Sequence, residues 1–141
     1  MSNKLTVGII GVGRIGKVHT LSIRHHLPRV AIKGVTDIFP EQAKAWAAEA
    51  GIPTVYPDYR AMLADPEIDA VLVCSSTDTH AEIAVAAAEA GKHVFCEKPV
   101  DLSVEKVRAV IAAAAKAGVR LQIGFNRRFD HNFRKVKELI G

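Results

Sequence analysis

Gly11-Val12-Gly13-Arg14-Ile15-Gly16 stands between an apolar run, Leu5 to Ile10, and a helical pattern that continues to His26. Asp37 ends the next apolar run, twenty-one residues beyond Gly16. Strand, glycine turn, helix, strand and acid in this order form the fingerprint of a dinucleotide-binding βαβ unit. Gly11 permits the tight turn out of the strand, Gly13 keeps side chains clear of an approaching pyrophosphate, and Gly16 lets the helix pack closely on the strand. The free N–H groups near Arg14 and Ile15 then face the phosphates, with the positive end of the helix dipole behind them.

Asp37 also selects the nucleotide. A carboxylate beside the adenosine ribose accepts hydrogen bonds from a 2′-hydroxyl and repels a 2′-phosphate, so the expected cofactor is NAD rather than NADP. Ile38 and Phe39 follow where a phosphate site would carry Arg or Ser, and they offer the adenine an apolar wall. Capping of a helix that begins near Pro40 and Glu41 would explain the acid by itself, but it leaves the glycines without a reason.

Outward from this unit, β-branched apolar runs recur at Leu5 to Ile10, Val30 to Thr36, Ala70 to Cys74, His93 to Cys96 and Arg120 to Ile123, with a weaker one at Pro53 to Tyr56. Helical patterns fill the gaps at about 14–26, 41–50, 59–64, 81–90 and 104–117. Ser103 is placed to cap the last of these, and Gly91 and Gly118 to end the two long alanine-rich helices. Strands alternating with helices predict an α/β fold. It is a doubly wound parallel sheet (Rossmann fold) in three αβα layers, of strand order 3-2-1-4-5-6.

In such a sheet ligands bind at the carboxyl ends of the strands, next to the switch between the first and fourth. Three polar loops fall there: Ser75-Ser76-Thr77-Asp78-Thr79-His80, Glu97-Lys98-Pro99, and Phe125-Asn126-Arg127-Arg128-Phe129-Asp130. Ser75, Ser76 and Thr77 are read as cofactor contacts, and Thr79 as the cap of the helix expected from Ala81. His80 either borders the cofactor or supports its own loop. A cis Lys98–Pro99 bond is compatible with the sequence, which leaves the isomer open.

The 141 residues suffice for one domain, 49% of them hydrophobic and 24% charged, with no repeat or low-complexity tract. Nineteen basic against fifteen acidic side chains give a net charge of +4. The basic residues are scattered except for Arg127, Arg128, Arg134, Lys135 and Lys137, which lack interleaved aromatics, so no nucleic-acid partner is expected. No apolar stretch is long enough for a membrane span and no signal-peptide pattern opens the chain, so a cytoplasmic protein without a membrane partner is expected. Cys74 and Cys96 show no metal-ligand spacing, no metal is expected, and both read as reduced, buried hydrophobes. An activated thiol would need a partner such as His80.

Taken together, the fingerprint, the Ser/Thr loop ending in His80, Glu97-Lys98-Pro99 and Gly124-Phe125-Asn126-Arg127-Arg128-Phe129-Asp130 resemble the Gfo/Idh/MocA oxidoreductase family, in its inositol dehydrogenase branch. The resemblance covers the whole chain. It implies NAD-dependent oxidation of a secondary alcohol of a cyclic polyol or sugar to a ketone by hydride transfer. In that family the lysine of the Glu-Lys-Pro motif is catalytic, which maps onto Lys98. Partial burial and a cationic nicotinamide would favour its neutral form, and Glu97 would orient Lys98 or the nicotinamide ribose. Asn126 and Arg127 would border the nicotinamide end, while Arg128 and Asp130 could pair with each other.

Family members add a second, substrate-binding α+β domain with the partner Asp and His, and they form homo-oligomers. Residues 1–141 are accordingly expected to be the NAD-binding domain, with about 1–125 its core and 126–141 the start of a linker toward an absent substrate domain. Alone it would bind NAD without turnover and could self-associate through the bared apolar face. The competing reading is a non-catalytic NAD-binding sensor or scaffold module, against which the intact Glu97-Lys98-Pro99 argues. A structural protein that has abandoned nucleotides would leave the glycines unexplained.

Overall fold

A computed structural model describes residues 4–140; the outermost positions of the expected domain, 1–3 and 141, lie outside the described residues. Six strands, β1 (Leu5–Ile10), β2 (Val30–Thr36), β3 (Thr54–Val55), β4 (Ala70–Val73), β5 (His93–Cys96) and β6 (Leu121–Ile123), form one sheet. Its order is β3-β2-β1-β4-β5-β6, with every neighbouring pair parallel. The connecting helices are α1 (Arg14–His26), α2 (Pro40–Glu49), α3 (Tyr59–Leu63), α4 (Thr77–Glu89) and α5 (Val104–Ala117). The doubly wound α/β fold expected from the sequence is the fold observed.

Successive side chains of a strand point to opposite faces, and here they fill two separate cores. Val71, Val73, Val94 and Cys96 pack with Met62, Ile83, Ala84 and Val110 of α3, α4 and α5. Val7, Ile9, Leu72 and Cys74 pack with Ile23, Trp46 and Ala47 of α1 and α2 on the other face. Burial on both faces explains why these strands read as unbroken apolar runs rather than alternating ones.

Where β1 meets β2 the register slips between Val7 and Gly8, which skips Lys33. The skipped lysine reaches Asp65 at 2.7 Å and also pairs with Glu67. Tyr56 donates its hydroxyl to the same Asp65 at 2.5 Å. Lys33, then Tyr56, hold the Asp65 carboxyl well below the ordinary carboxylate range. Stability from this cluster is therefore present above that range and lost as acid protonates the carboxylate. Burial, then the bond to Asp65, pushes the Tyr56 phenol up to about 12. Nearby, the buried Lys92 donates from Nζ to the carbonyls of Asp65 and Ile68, both at 2.8 Å, closing the turn after α3.

Helix ends agree with the sequence at α5, where Ser103 Oγ accepts the Lys106 N–H at 3.4 Å and Gly118 terminates the helix at φ 68°. They differ at α4. Thr79 does not cap it; the helix begins at Thr77 with Ser76 as its cap residue, four residues before the expected start. The Thr79 hydroxyl instead donates back to the Ser76 carbonyl at 2.8 Å. Residues 126–140, expected as a linker, form a 3-10 turn (Asn126–Phe129) and a helix, α6 (His131–Ile140), neither with a buried residue. α6 leaves Phe133, Val136, Leu139 and Ile140 exposed along one side. No helix of the described residues is long and apolar enough to cross a membrane.

Candidate functional site

Gly11 leaves β1 at φ 95°, a conformation that favours glycine, with its backbone against Cys74 and Ser75, where a Cβ would come within 2.6 Å of the Cys74 carbonyl oxygen. A Cβ on Gly16 would stand 2.0 Å from the Gly11 carbonyl oxygen. Gly13 is different: a Cβ there would meet no atom within 4 Å. Two of the three glycines thus serve packing within the chain, and the third keeps open the space before the first turn of α1. Gly13 is the helix cap residue and no side chain caps the helix, so the N–H groups of Arg14 and Ile15 keep their hydrogens for a ligand. These are the features a diphosphate requires.

Asp37 joins this mouth directly. Its Oδ2 accepts the Val12 N–H at 2.7 Å and its Oδ1 accepts the Phe39 N–H at 2.9 Å. The second bond is a local turn leading into α2, whose cap residue is Phe39 rather than Asp37. Each carboxylate oxygen retains acceptor capacity for a hydroxyl. Ile38 and Phe39 stand exposed beside it. Asp37→Ser is expected to narrow the preference for NAD over NADP, read as the ratio of their dissociation constants; an unchanged ratio would mean that the acid does not meet the ribose.

The three polar loops converge as expected at the carboxyl ends of β4, β5 and β6. Ser75 turns inward: the single hydrogen of Thr79 Oγ1 goes to the Ser76 carbonyl, so Ser75 Oγ donates to Thr79 Oγ1 at 2.8 Å. Ser76 is exposed and Thr77 half-buried at the start of α4. His80 lies below them, 2% exposed, with Nδ1 2.7 Å from the Pro99 carbonyl and Nε2 3.0 Å from the Ser75 carbonyl. Of the two sequence readings the supporting role holds for His80, because both ring nitrogens face backbone carbonyls rather than the crevice. A neutral ring donates to one of these carbonyls, and only the doubly protonated ring donates to both. His80→Ala is expected to lower stability by about 2–4 kcal/mol, as a fall in the urea midpoint at unchanged slope, because it empties a buried site and takes the ring N–H away from a backbone carbonyl.

Lys98 follows Glu97 and precedes a cis peptide bond to Pro99. The expected partial burial of Lys98 is not found: the residue is exposed and, with Phe125, Asn126, Arg127 and Arg128, lines a cavity of about 460 Å³. Glu97 is engaged elsewhere than with the Lys98 ammonium. Its Oε1 lies 2.6 Å from His19 Nε2 of α1, and its Oε2 accepts the Lys98 backbone N–H at 3.2 Å. Sequence reasoning missed His19. One signal was available, since a residue three beyond Gly16 shares the helix face that Gly16 turns to the sheet.

Around the cavity, Arg127 rather than Arg128 pairs with Asp130, at 3.6 Å, and its guanidinium lies 4.7 Å from the Phe133 ring. Cys74 and Cys96 are buried and free, as expected. Burial, then the charge of Glu97, pushes both thiols up to about 12, and His80 is spent on carbonyls. Neither cysteine is an activated nucleophile.

Comparison with known proteins agrees with this fold. Residues 5–125 match the model of the GFO_IDH_MocA family, described as an oxidoreductase family with an NAD-binding Rossmann fold. The chain is 46% identical over 140 residues to an uncharacterized oxidoreductase, YrbE, of Bacillus subtilis, covering 99% of this chain and 41% of the relative. It is 41% identical over 136 residues to a myo-inositol 2-dehydrogenase of Thermotoga maritima, covering 96% of this chain and 40% of the relative. Among solved structures, a scyllo-inositol dehydrogenase from Lactobacillus casei with bound NAD(H) and scyllo-inositol superposes with a TM-score of 0.89 at 33% identity, over 97% of this chain and 41% of that one. The chain thus spans about two fifths of the length of these relatives.

Proposed function

Because the chain belongs to the Gfo/Idh/MocA oxidoreductase family with its NAD-binding Rossmann fold, we propose that it is the cofactor-binding domain of a polyol or sugar dehydrogenase of the inositol 2-dehydrogenase type, acting in the cytoplasm. The bond from the Val12 N–H to Asp37 at 2.7 Å carries the reading, since it unites the open helix mouth and the acid in one receptor. NAD, when bound, supplies the hydride acceptor for a secondary alcohol.

The cofactor-binding tasks fall to side chains and amides of the chain. Gly11, Gly13 and Gly16 shape the cradle, and the N–H groups of Arg14 and Ile15 bind the diphosphate. Asp37 accepts the adenosine ribose hydroxyls and Ile38 flanks the adenine. Ser75, Ser76, Thr77, Asn126 and Arg127 border the nicotinamide half. His80 belongs to this set as the support of the Ser75 and Pro99 loops. Lys98, at the wall of the cavity, polarises the substrate oxygen and helps its proton leave. Glu97 orients Lys98.

Lys98 does not complete such a site, and the resemblance assigns the proton acceptor to a further domain. The longer relatives and the exposed apolar side of α6 support a domain of about 1–125, followed by a segment that leads into more chain. When the domain stands alone, self-association would cover the same side.

Calorimetry with NAD, run beside polyol-dependent NADH formation, tests the proposal. NAD binding without turnover by these 141 residues is the expected result. Turnover by the same residues would refute the division of labour, and absence of binding would refute the cofactor site.

A further inference from the structure

His19 lies outside the glycine fingerprint, yet its side chain ties together two parts of the crevice. Its ring meets Phe95 of β5 edge-on, with centroids 5.1 Å apart and planes inclined at 70°. Across this contact Nε2–H donates to Glu97 Oε1 at 2.6 Å, the carboxylate being the acceptor. The second carboxylate oxygen takes the Lys98 backbone N–H at 3.2 Å. Backbone forms the remaining wall: a Cβ on Gly124, just past β6, would come within 3.1 Å of the Glu97 carboxyl atoms. The Glu97 carboxylate is thereby held by α1, by the segment that carries Lys98, and by the end of β6.

We propose that His19 is a positioning residue that acts through Glu97 to fix the Lys98 segment relative to α1, whose first turn receives the cofactor diphosphate. This rests on the cofactor reading given above. The physical reason is one of unmatched partners. Without the imidazole N–H, a half-buried carboxylate loses its charge-assisted bond and swings toward water or toward a free ammonium, which releases the Lys98 amide as well. The Arg14 and Ile15 N–H groups and the Asp37 carboxylate take no part in this link, so the consequence is expected at the nicotinamide end.

NAD and ADP share adenosine and diphosphate, but only NAD carries the nicotinamide and its ribose, so their affinities for the 141-residue chain separate the two ends of the site. His19→Ala is expected to weaken NAD about three- to tenfold while ADP changes by less than about twofold, and to shift the Lys98 amide proton resonance. His19→Gln, which can place an N–H near the position of Nε2, is expected to restore most of the loss. Gly124→Ala displaces Glu97 with His19 intact and should reproduce the NAD-selective loss; it decides the matter should His19→Ala not fold. Equal weakening of both ligands, or no weakening of NAD, overturns the proposal. If the unaltered chain binds neither ligand, the cofactor reading itself fails and the proposal falls with it. If the unaltered chain binds both and the selectivity is missing, the role of His19 alone is lost.

Discussion

Gly13→Ala is expected to give a folded chain that has lost most of its affinity for NAD, whereas Gly16→Ala is expected to give a chain that no longer packs. The two glycines stand three residues apart in one motif, yet they answer to different neighbours. A methyl group on Gly16 would sit 2.0 Å from the Gly11 carbonyl oxygen, so α1 would have to withdraw from the sheet. That movement costs about 3 kcal/mol or more, a large part of the stability of a domain this size. A methyl group on Gly13 would meet nothing within 4 Å. The Gly13 backbone, at φ −65° and ψ −171°, suits any residue, so stability should change by no more than about 1 kcal/mol. The same methyl group would occupy the space in front of the helix mouth, and NAD affinity should fall by roughly tenfold or more. Urea midpoints and calorimetric titrations on both variants check the pair. A Gly13→Ala chain that keeps its affinity would show that the diphosphate does not approach this turn.

Lys98→Met is the second large effect. It keeps an unbranched apolar stem of similar reach and removes the ammonium. In a form of the protein that supports polyol-dependent NADH formation, turnover is expected to fall by about 10²–10⁴-fold, the range for loss of a positioned proton-handling group. NAD affinity should stay within about threefold, because the diphosphate and adenosine contacts lie elsewhere. The exposure of Lys98 supports the use of this substitution, since no buried partner is left unpaired by it. Retention of full turnover would remove Lys98 from the chemistry and shift the weight toward a binding module.

Much of this architecture was legible in the residues themselves. β-branched runs bounded by glycines and caps marked the strands to within about two residues, and Ser103 and Gly118 announced the ends of α5. α4 was misread at its start because serine and threonine serve turns and first helical turns equally well. Here His80, in that first turn, faces the carbonyl of Ser75 just ahead of the cap residue, and the helix begins early. α6 was hidden by the absence of any buried face, although Phe133, Val136 and Ile140 do recur at helical spacing.

His19, His80 and Lys92 mark the limit of local reading. Glycine sterics, strand period and capping act over a few residues, so the sequence by itself determined the doubly wound sheet, its strand order, the helix mouth and the acid beside it. His19 meets Glu97 from 78 residues away, and Lys92 meets Ile68 from 24. Whether a histidine serves a ligand or a carbonyl, and whether a lysine is buried or free, depends on which polar groups chain closure brings within about 3 Å. That closure is a property of the packed sheet and helices, which is why only the tertiary structure decided it.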